Sequence, residues 1–291
     1  MKLFFLLVRR VPPVPSPVLQ EVYQILFRRG FEVETGIAEE MILRPDRMRV
    51  EHDLYILKSH TELSLSIAGI LHSQGANLLN DYPSCMATQD KIQGSRRLRA
   101  WDIPAPACWV TGDFSLLRSL VEEQPLLIKP YRGHRGAGIT LVRNPSELDA
   151  LPQPESPVII QEYVPGQGED LKVYVVGDQV YAVRKTFSST SFSQPGWPTS
   201  VSSEVRDIAL RCGQAFGLGL YGLDMIESPD GPVVVDLNYF PGYKGIPAIA
   251  PQIADYIANY ASGHGRLNLP LIAGGTDVSE VSAWSSVLPV G

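Results

Sequence analysis

Residues 233–245 read VVVDLNYFPGYKG: three valines promise a buried strand, and then Asp236 and Asn238 stand where further Val or Ile belongs. Upstream, residues 220–226 form a second strand-like run, LYGLDMI. Ser228-Pro229-Asp230-Gly231 between the two runs is turn chemistry, so the pair reads as a β-hairpin. With the turn centred on Asp230, Asp224 and Asp236 are equidistant from it and sit opposite one another, and Asn238 shares the face of Asp236. Two opposed carboxylates repel, more strongly when partly buried. A cation relieves that repulsion, and oxygen ligands too few to enclose an ion suit Mg²⁺, which keeps its other positions for water and phosphate oxygens. The competing reading is an exposed polar hairpin face.

The 291 residues around this hairpin, 44% hydrophobic and 19% charged, are enough for two or three packed lobes. A net charge of −6 and the lack of any basic run argue against a nucleic-acid partner. The apolar run Leu3 to Val8 is followed by Arg9-Arg10, whereas a signal peptide carries its positive charges before a longer apolar core. The run is expected to be a first strand of a cytoplasmic protein with no membrane partner. Cys85, Cys108 and Cys212 are odd in number and far apart, which fits buried thiols and neither a disulfide framework nor a zinc spacing. Five scattered His residues give no metal-ligand pair on one helix face.

Periodicity then lays out the elements. A helix with Val18, Val22, Ile25 and Leu26 on one face stops at Gly30; a strand follows at Asp53 to Leu57, a helix at about 61–72, and a short strand around Leu78-Leu79 that Asn80 closes. This is a small doubly wound α/β lobe over residues 1–103. After the Pro-rich IPAP at 103–106, a central lobe (104–164) holds strands near 107–110, 126–129, 139–142 and 158–162 and a helix at 114–122. A third lobe (165–262) opens with LKVYVVGDQVYAVRK, two alternating strands around Gly177-Asp178. It continues with a helix at 203–216, the Asp224/Asp236 hairpin and a helix at 248–261. Residues 263–291 show no period.

LLIKPYRGHRGAGITLV at 126–142 places Lys129 at a strand end and Gly133, Gly136 and Gly138 in a GxxGxG loop that leads into another strand. A Rossmann fingerprint would lead into a helix, and no Walker A or protein-kinase motif set occurs. Such a hairpin either folds over a triphosphate, its backbone N–H groups close to the anions and Lys129 adding charge, or is simply mobile. Arg132, His134 and Arg135 in the same loop are either a substrate clamp or a solvated tip.

Five motifs in order, TQDKIQGSRRL (88–98), LIKPYRGHRGAGITLV (127–142), QEYVPGQGEDLKVYVVG (161–177), GLDMIES (222–228) and VVDLNYFPG (234–242), together resemble the ATP-grasp superfamily over roughly residues 1–262. The resemblance implies a three-lobed α/β enzyme with ATP between lobes. Lys91, Lys129 and the loop residues Gly133, His134, Gly136 and Gly138 would lie near the phosphates, and Gln161, Glu162, Tyr163 and Val164 along the adenine, with Glu169 or Asp170 at the ribose. It also implies Mg²⁺, two ions, on Asp224, Asp236 and Asn238.

Two branches are similar to this chain. The Gly-rich loop, the DK at 90–91 and the hinge resemble RimK-type carboxylate–amine ligases, which form an acyl phosphate, although Lys172 stands where that pattern commonly has Arg. LKVYVVG at 171–177, DLNYFPGY at 236–243 and DLYILKSHTE at 53–62 resemble ATP-grasp inositol polyphosphate kinases, which phosphorylate a hydroxyl. The ligase is the first expectation, with an anionic small-molecule substrate. Arg184 and Lys185 either face the transferring phosphate or protect a strand edge with charge. Lys58 is either solvated or, with Arg132, Lys172, Gly242 and Lys244, part of the substrate site. Tyr239, Phe240 and Tyr243 either wall that site or pack. Asp81 and Ser84 offer turn and capping chemistry.

Overall fold

The first apolar run becomes β1 (Lys2–Leu7), whose Leu3 and Phe5 are wholly buried. It lies between two parallel neighbours, β2 (Glu32–Ile37) and β3 (Leu54–Leu57), with β4 (Leu78–Leu79) beyond β3, so the order is β2-β1-β3-β4. The computed structural model describes residues 1–10, 16–131, 138–166, 168–186 and 196–272. Helices α1 (Pro17–Arg28) and α2 (Glu62–Ser73) connect these strands. Pro17 opens α1, where a missing N–H costs nothing, and the Thr61 hydroxyl caps α2 by accepting from Ser64 N. β2 was not expected. It is an edge strand, EVETGI, with no fully buried residue, so it has no apolar run to announce it.

Two capped helices follow, α3 (Tyr82–Gln89) and α4 (Lys91–Ala100). The Asp81 carboxylate accepts from Ser84 N, and that of Asp90 from Ile92 N and Gln93 N, the capping expected of short acidic side chains. Asp90 thereby sets Lys91 at the first turn of α4.

The central sheet is antiparallel, ordered β5-β8-β6-β7, from β5 (Cys108–Thr111), β6 (Leu126–Pro130), β7 (Thr140–Val142) and β8 (Val158–Glu162). Its helices are short, α5 (Arg118–Glu123) and α6 (Pro145–Asp149); the helix expected at 114–122 begins as a 3₁₀ turn at Phe114–Leu117.

The third sheet, β11-β10-β9-β12-β13, holds β9 (Glu169–Val176), β10 (Gln179–Thr186), β11 (Trp197–Thr199), β12 (Leu220–Ser228) and β13 (Gly231–Tyr239). Helix α7 (Ser203–Phe216) packs on the face that carries Leu171, Val173, Val175 and Tyr221, and the Tyr221 hydroxyl donates to Ala209 O at 2.7 Å. Helix α8 (Ile249–Ala261) lies against α1, where Arg29 pairs with Asp255.

Three sheets share two hydrophobic cores. One runs continuously from Leu3, Phe5 and Leu54 to Val173, Phe216 and Ile253, and so joins the first and third sheets. The second, built of Phe114, Leu126, Ile128, Val142, Leu148 and Ile160, belongs to the central sheet. Polar contacts reinforce the first union. The Asn80 amide donates to Leu220 O and accepts from Gly219 N and Leu220 N, and the Tyr260 hydroxyl donates to Leu78 O. Each of these buried groups would otherwise go unsatisfied, at about 1–3 kcal/mol apiece.

Candidate active site

The β12–β13 hairpin builds the site through an irregular register. From the turn outward, Ser228 pairs with Gly231 and Met225 with Val234, but Asp224 pairs with Asp236, so Val235 is one residue extra. This is a β-bulge. Burial follows it: Pro232 and Val234 point inward before the bulge, Leu237 and Tyr239 after it. The expected opposition of the two aspartates is therefore correct, although the turn centres between Pro229 and Asp230 and the bulge supplies the remaining residue.

Each aspartate has a lysine. Lys172 Nζ is 2.7 Å from Asp224 Oδ1, and Lys91 Nζ donates to Asp236 Oδ1 at 2.5 Å. The Asn238 amide nitrogen donates to Asp236 Oδ2 at 3.1 Å. Burial raises the pKa of Asp224, and the charge of Asp236 adds to that against the opposing pull of Lys172. For Asp236, burial acts upward too, but Lys91, Asn238 and Lys129 outweigh it and hold the carboxyl below its ordinary range. Among the described residues no three His, Cys, Asp or Glu side chains gather into a metal cluster. The candidate is thus two carboxylates and one amide oxygen, a set of hard ligands that fits a partly hydrated Mg²⁺.

Further cations surround this pair. Lys129, at the end of β6, feels Asp236, Lys91 and Asp224, and burial lowers its pKa. Lys185 is 5% exposed; burial first, then Lys172 and Lys244, lower its pKa, against Asp224 and Asp170. Asp170 pairs with Lys185 across β9 and β10 and is raised by burial. A cleft of about 460 Å³, its mouth included, joins Lys91, Gln161 and Asp236 with Gly94, Ser95, Val235 and Leu237. Lys91 and Asp236 are the charged residues of its lining, and the four lysines gathered around the two carboxylates fit a metal-bound polyphosphate.

Two expected residues are not part of it. Arg184 lies opposite Leu171, which lies opposite Met225, so its side chain is on the α7 face, away from Asp224. There it pairs with Glu227 at 2.5 and 3.0 Å and with Glu169 at 3.6 Å. Of the pair Glu169 and Asp170, only Asp170 shares the face of Lys172, Lys185 and Asp224.

In the hinge, Gln161 and Glu162 end β8. The Glu162 and Tyr163 N–H groups donate to Ala107 O and Pro125 O, and Glu162 Oε2 accepts from Ala107 N. Val164 N–H has no partner among the described residues. Gly138 follows the loop with φ +76°, and a Cβ there would stand 2.8 Å from Pro130 Cγ, so both backbone and space require glycine. Arg132, Gly133, His134, Arg135 and Gly136 lie outside the described residues.

Lys58 follows β3 directly, half-buried, its ammonium 5.2 Å from the centre of the Phe240 ring. Gly242 and Lys244 are exposed beyond Asn238. Tyr239 and Tyr243 are packing residues: both are buried, and their hydroxyls donate to Ser59 O and Val175 O at 2.8 Å. Sequence reasoning missed Val235, because a bulge has no composition of its own.

Three sheets in this order, with a cleft between the central sheet and the Asp224/Asp236 hairpin, define the ATP-grasp class. The RimK-like ATP-grasp domain model matches residues 88–260. A probable alpha-L-glutamate ligase of Chromohalobacter salexigens is 31% identical over 208 residues, 64% of this chain and 68% of that protein. Among solved structures, a RimK domain ATP-grasp protein from Sphaerobacter thermophilus superposes with a TM-score of 0.69 at 19% identity, over 89% of this chain and all of that one. The ATP-grasp ligase PsnB, solved with a minimal precursor, Mg and ADP, gives 0.64 at 20% identity, over 88% of this chain and 96% of that one; at such identities the likeness is one of fold.

The chain belongs to the RimK-like ATP-grasp family. It is an ATP-grasp ligase, and the kinase alternative has no support in these comparisons. Among the described residues no helix is long and apolar enough to cross a membrane.

Proposed function

We propose that the chain joins a substrate carboxylate to the amine of an acidic amino acid, at the expense of ATP, through an acyl phosphate. The carboxylate oxygen attacks the γ-phosphorus and ADP leaves; the amine nitrogen then attacks the acyl carbon and inorganic phosphate leaves. The observation that carries this reading is the opposition of Asp224 and Asp236 amid Lys91, Lys129, Lys172 and Lys185. The name of the Chromohalobacter relative supports L-glutamate as the amine.

In this reading Asp224, Asp236 and the Asn238 amide oxygen hold Mg²⁺, two ions, which when bound neutralise charge on the phosphates. Lys91 and Lys129 pair with the phosphate oxygens. Lys185, fixed and mostly desolvated, faces the group in transfer, where a preorganised cation stabilises developing charge. Val164 N–H is the hinge donor for an adenine ring nitrogen, and Asp170 faces the ribose. Gly133, His134, Gly136 and Gly138 cover the phosphates, and Arg132, Lys172, Gly242 and Lys244 contact the substrate. Lobe boundaries at 103 and 164 would leave one sheet in each lobe, and the three separate sheets support that division.

Incubation with Mg²⁺, ATP, L-glutamate and a pool of carboxylates and peptides tests the reading. Phosphate release that requires both organic substrates, with an amide of the matching mass, is expected. Phosphate release without any amide across the pool would overturn it.

A further inference from the structure

The order β2-β1-β3-β4 reverses between β1 and β3, because the chain leaves β1 on one side for β2 and crosses back to the other for β3. In open parallel sheets, ligands bind outside the carboxyl ends of the strands at such a reversal. Here the two strand ends carry cations. β1 is followed by Arg9 and Arg10, and β3 by Lys58, whose N–H donates to Leu6 O and so fixes its backbone beside β1. Arg9 is already paired with Glu40 at 3.0 Å.

Lys58 and Arg10 have no carboxylate partner among the described residues. The charge that acts on Lys58 is Arg10, a second cation, and burial together with it brings the Lys58 pKa down to about 8. The Phe240 face attracts the half-buried ammonium, but burial and the like charge of Arg10 both work against it, and an anion there offsets that cost. The placement is directed. Phe240, beneath the ammonium, is two residues past Asn238, and its N–H donates to Leu220 O at 2.7 Å. His60 stacks on Tyr239 at 3.9 Å between ring centres, which locks the segment after β3 to the end of β13. The carboxyl ends of the parallel strands therefore open beside the metal hairpin.

We propose that Lys58 and Arg10 form an anion site for a carboxylate that takes no part in the reaction, on an acidic amino-acid substrate. A guanidinium matches a carboxylate in bidentate fashion and an ammonium adds a point charge. The site makes the side-chain charge of the amino acid a condition of binding, and it rests on the ligase reading above.

Calorimetric titration of the full chain with Mg²⁺ and ADP present, using L-glutamate and L-aspartate against L-glutamine and L-asparagine, tests it. The amides keep the shape and lose one charge. Wild type should bind an acid at least about tenfold more tightly than its amide, as the loss of a charge-assisted contact predicts. Lys58→Met should reduce that ratio to below about threefold, Lys58→Arg should retain it, and Arg10→Ser should fall between, with Lys2→Met as a surface control. Lys58→Arg keeps the test sound if Lys58→Met melts early. An unchanged ratio in Lys58→Met, or no preference for either acid in wild type, overturns the proposal. Amide formation assayed in the same samples separates the two readings. Ligation without acid preference sinks the anion site alone, and a preference lost in Lys58→Met without ligation from any pool sinks the ligase reading alone.

Discussion

Asp224 and Asp236 face one another only because Val235 bulges out of β13; in the register that starts at the turn, Asp224 would face Val235 and Asp236 would point to the α7 face. The two carboxyls then titrate in opposite senses. Lysine and amide contacts hold Asp236 ionised, whereas burial works against ionised Asp224.

In the metal-free protein this yields opposite mutational effects. Asp236 has a lowered pKa, so its contribution to stability is present above the ordinary carboxylate pKa and is lost as pH falls through the lowered value. Asp236→Asn should lower the melting temperature at pH 7 in EDTA. Asp224, with a raised pKa, is penalised when charged, and Asp224→Asn should raise it. Both should lose ligase turnover by roughly 10²–10³-fold, the usual scale for removing a group that stabilises developing charge.

Lys129 is a half-buried cation whose pKa burial lowers, and charge without full solvation is a cost to the free protein. Lys129→Met should leave the melting temperature unchanged or higher while raising KM for ATP about tenfold or more, the scale of one charge-assisted contact. Unchanged KM would remove Lys129 from the phosphate site.

Arg184 and Lys185 are neighbours in sequence and on opposite faces of the sheet. Arg184→Ala should cost stability, about 1 kcal/mol or less for so exposed a pair, and leave kcat and KM intact. Lys185→Ala should lower kcat. Steady-state kinetics of both variants would expose a wrong assignment of faces if Arg184→Ala were the slower enzyme.

A main-chain contact to adenine can be probed with proline, which lacks the N–H. Val164→Pro should raise KM for ATP by roughly tenfold, the value of one hydrogen bond, with Val164→Ala close to wild type. Equal effects would mean that the side chain, not the N–H, is what matters.

Lys58, with a pKa of about 8 and Arg10 as the charged group acting on it, binds an anion only when protonated. Affinity for an acidic amino acid should be constant below pH 7 and fall as pH rises through 8 and above. Titration calorimetry from pH 6.5 to 9 would show it, and Lys58→Arg should abolish the fall because guanidinium stays charged.

Much of this was legible in the sequence because it rests on residue type and short spacing. Asp224, Asp236, Asn238 and Lys129 stood out as chemistry out of place in apolar or glycine-rich runs, Lys91 came from the resemblance of TQDKIQGSRRL to the ATP-grasp pattern, and capping by Asp81 follows from its position before a helix. What escaped depends on neighbours distant in the chain. β2 is a polar edge strand, recognisable only beside β1. The face of Arg184 follows from counting registers through Leu171 and Met225, which a strand viewed alone does not provide. The aspartate pair was deduced with a turn centre half a residue off, and the unseen bulge made up the difference.

The division of the interior into two cores has a mechanical meaning. The first and third sheets, with Lys58, Phe240 and the aspartates, are welded by one continuous apolar interior and by the Asn80 and Tyr260 hydrogen bonds. The central sheet, with Lys129 and the hinge strand, has an interior of its own. It can therefore rock as a unit without tearing a core. In the proposed ligase, Lys58 and the Asp224/Asp236 hairpin would form one fixed jaw, and Lys129 and the hinge strand would close over ATP from the other, so that closure adjusts the phosphate contacts and leaves the distance from Lys58 to that hairpin constant.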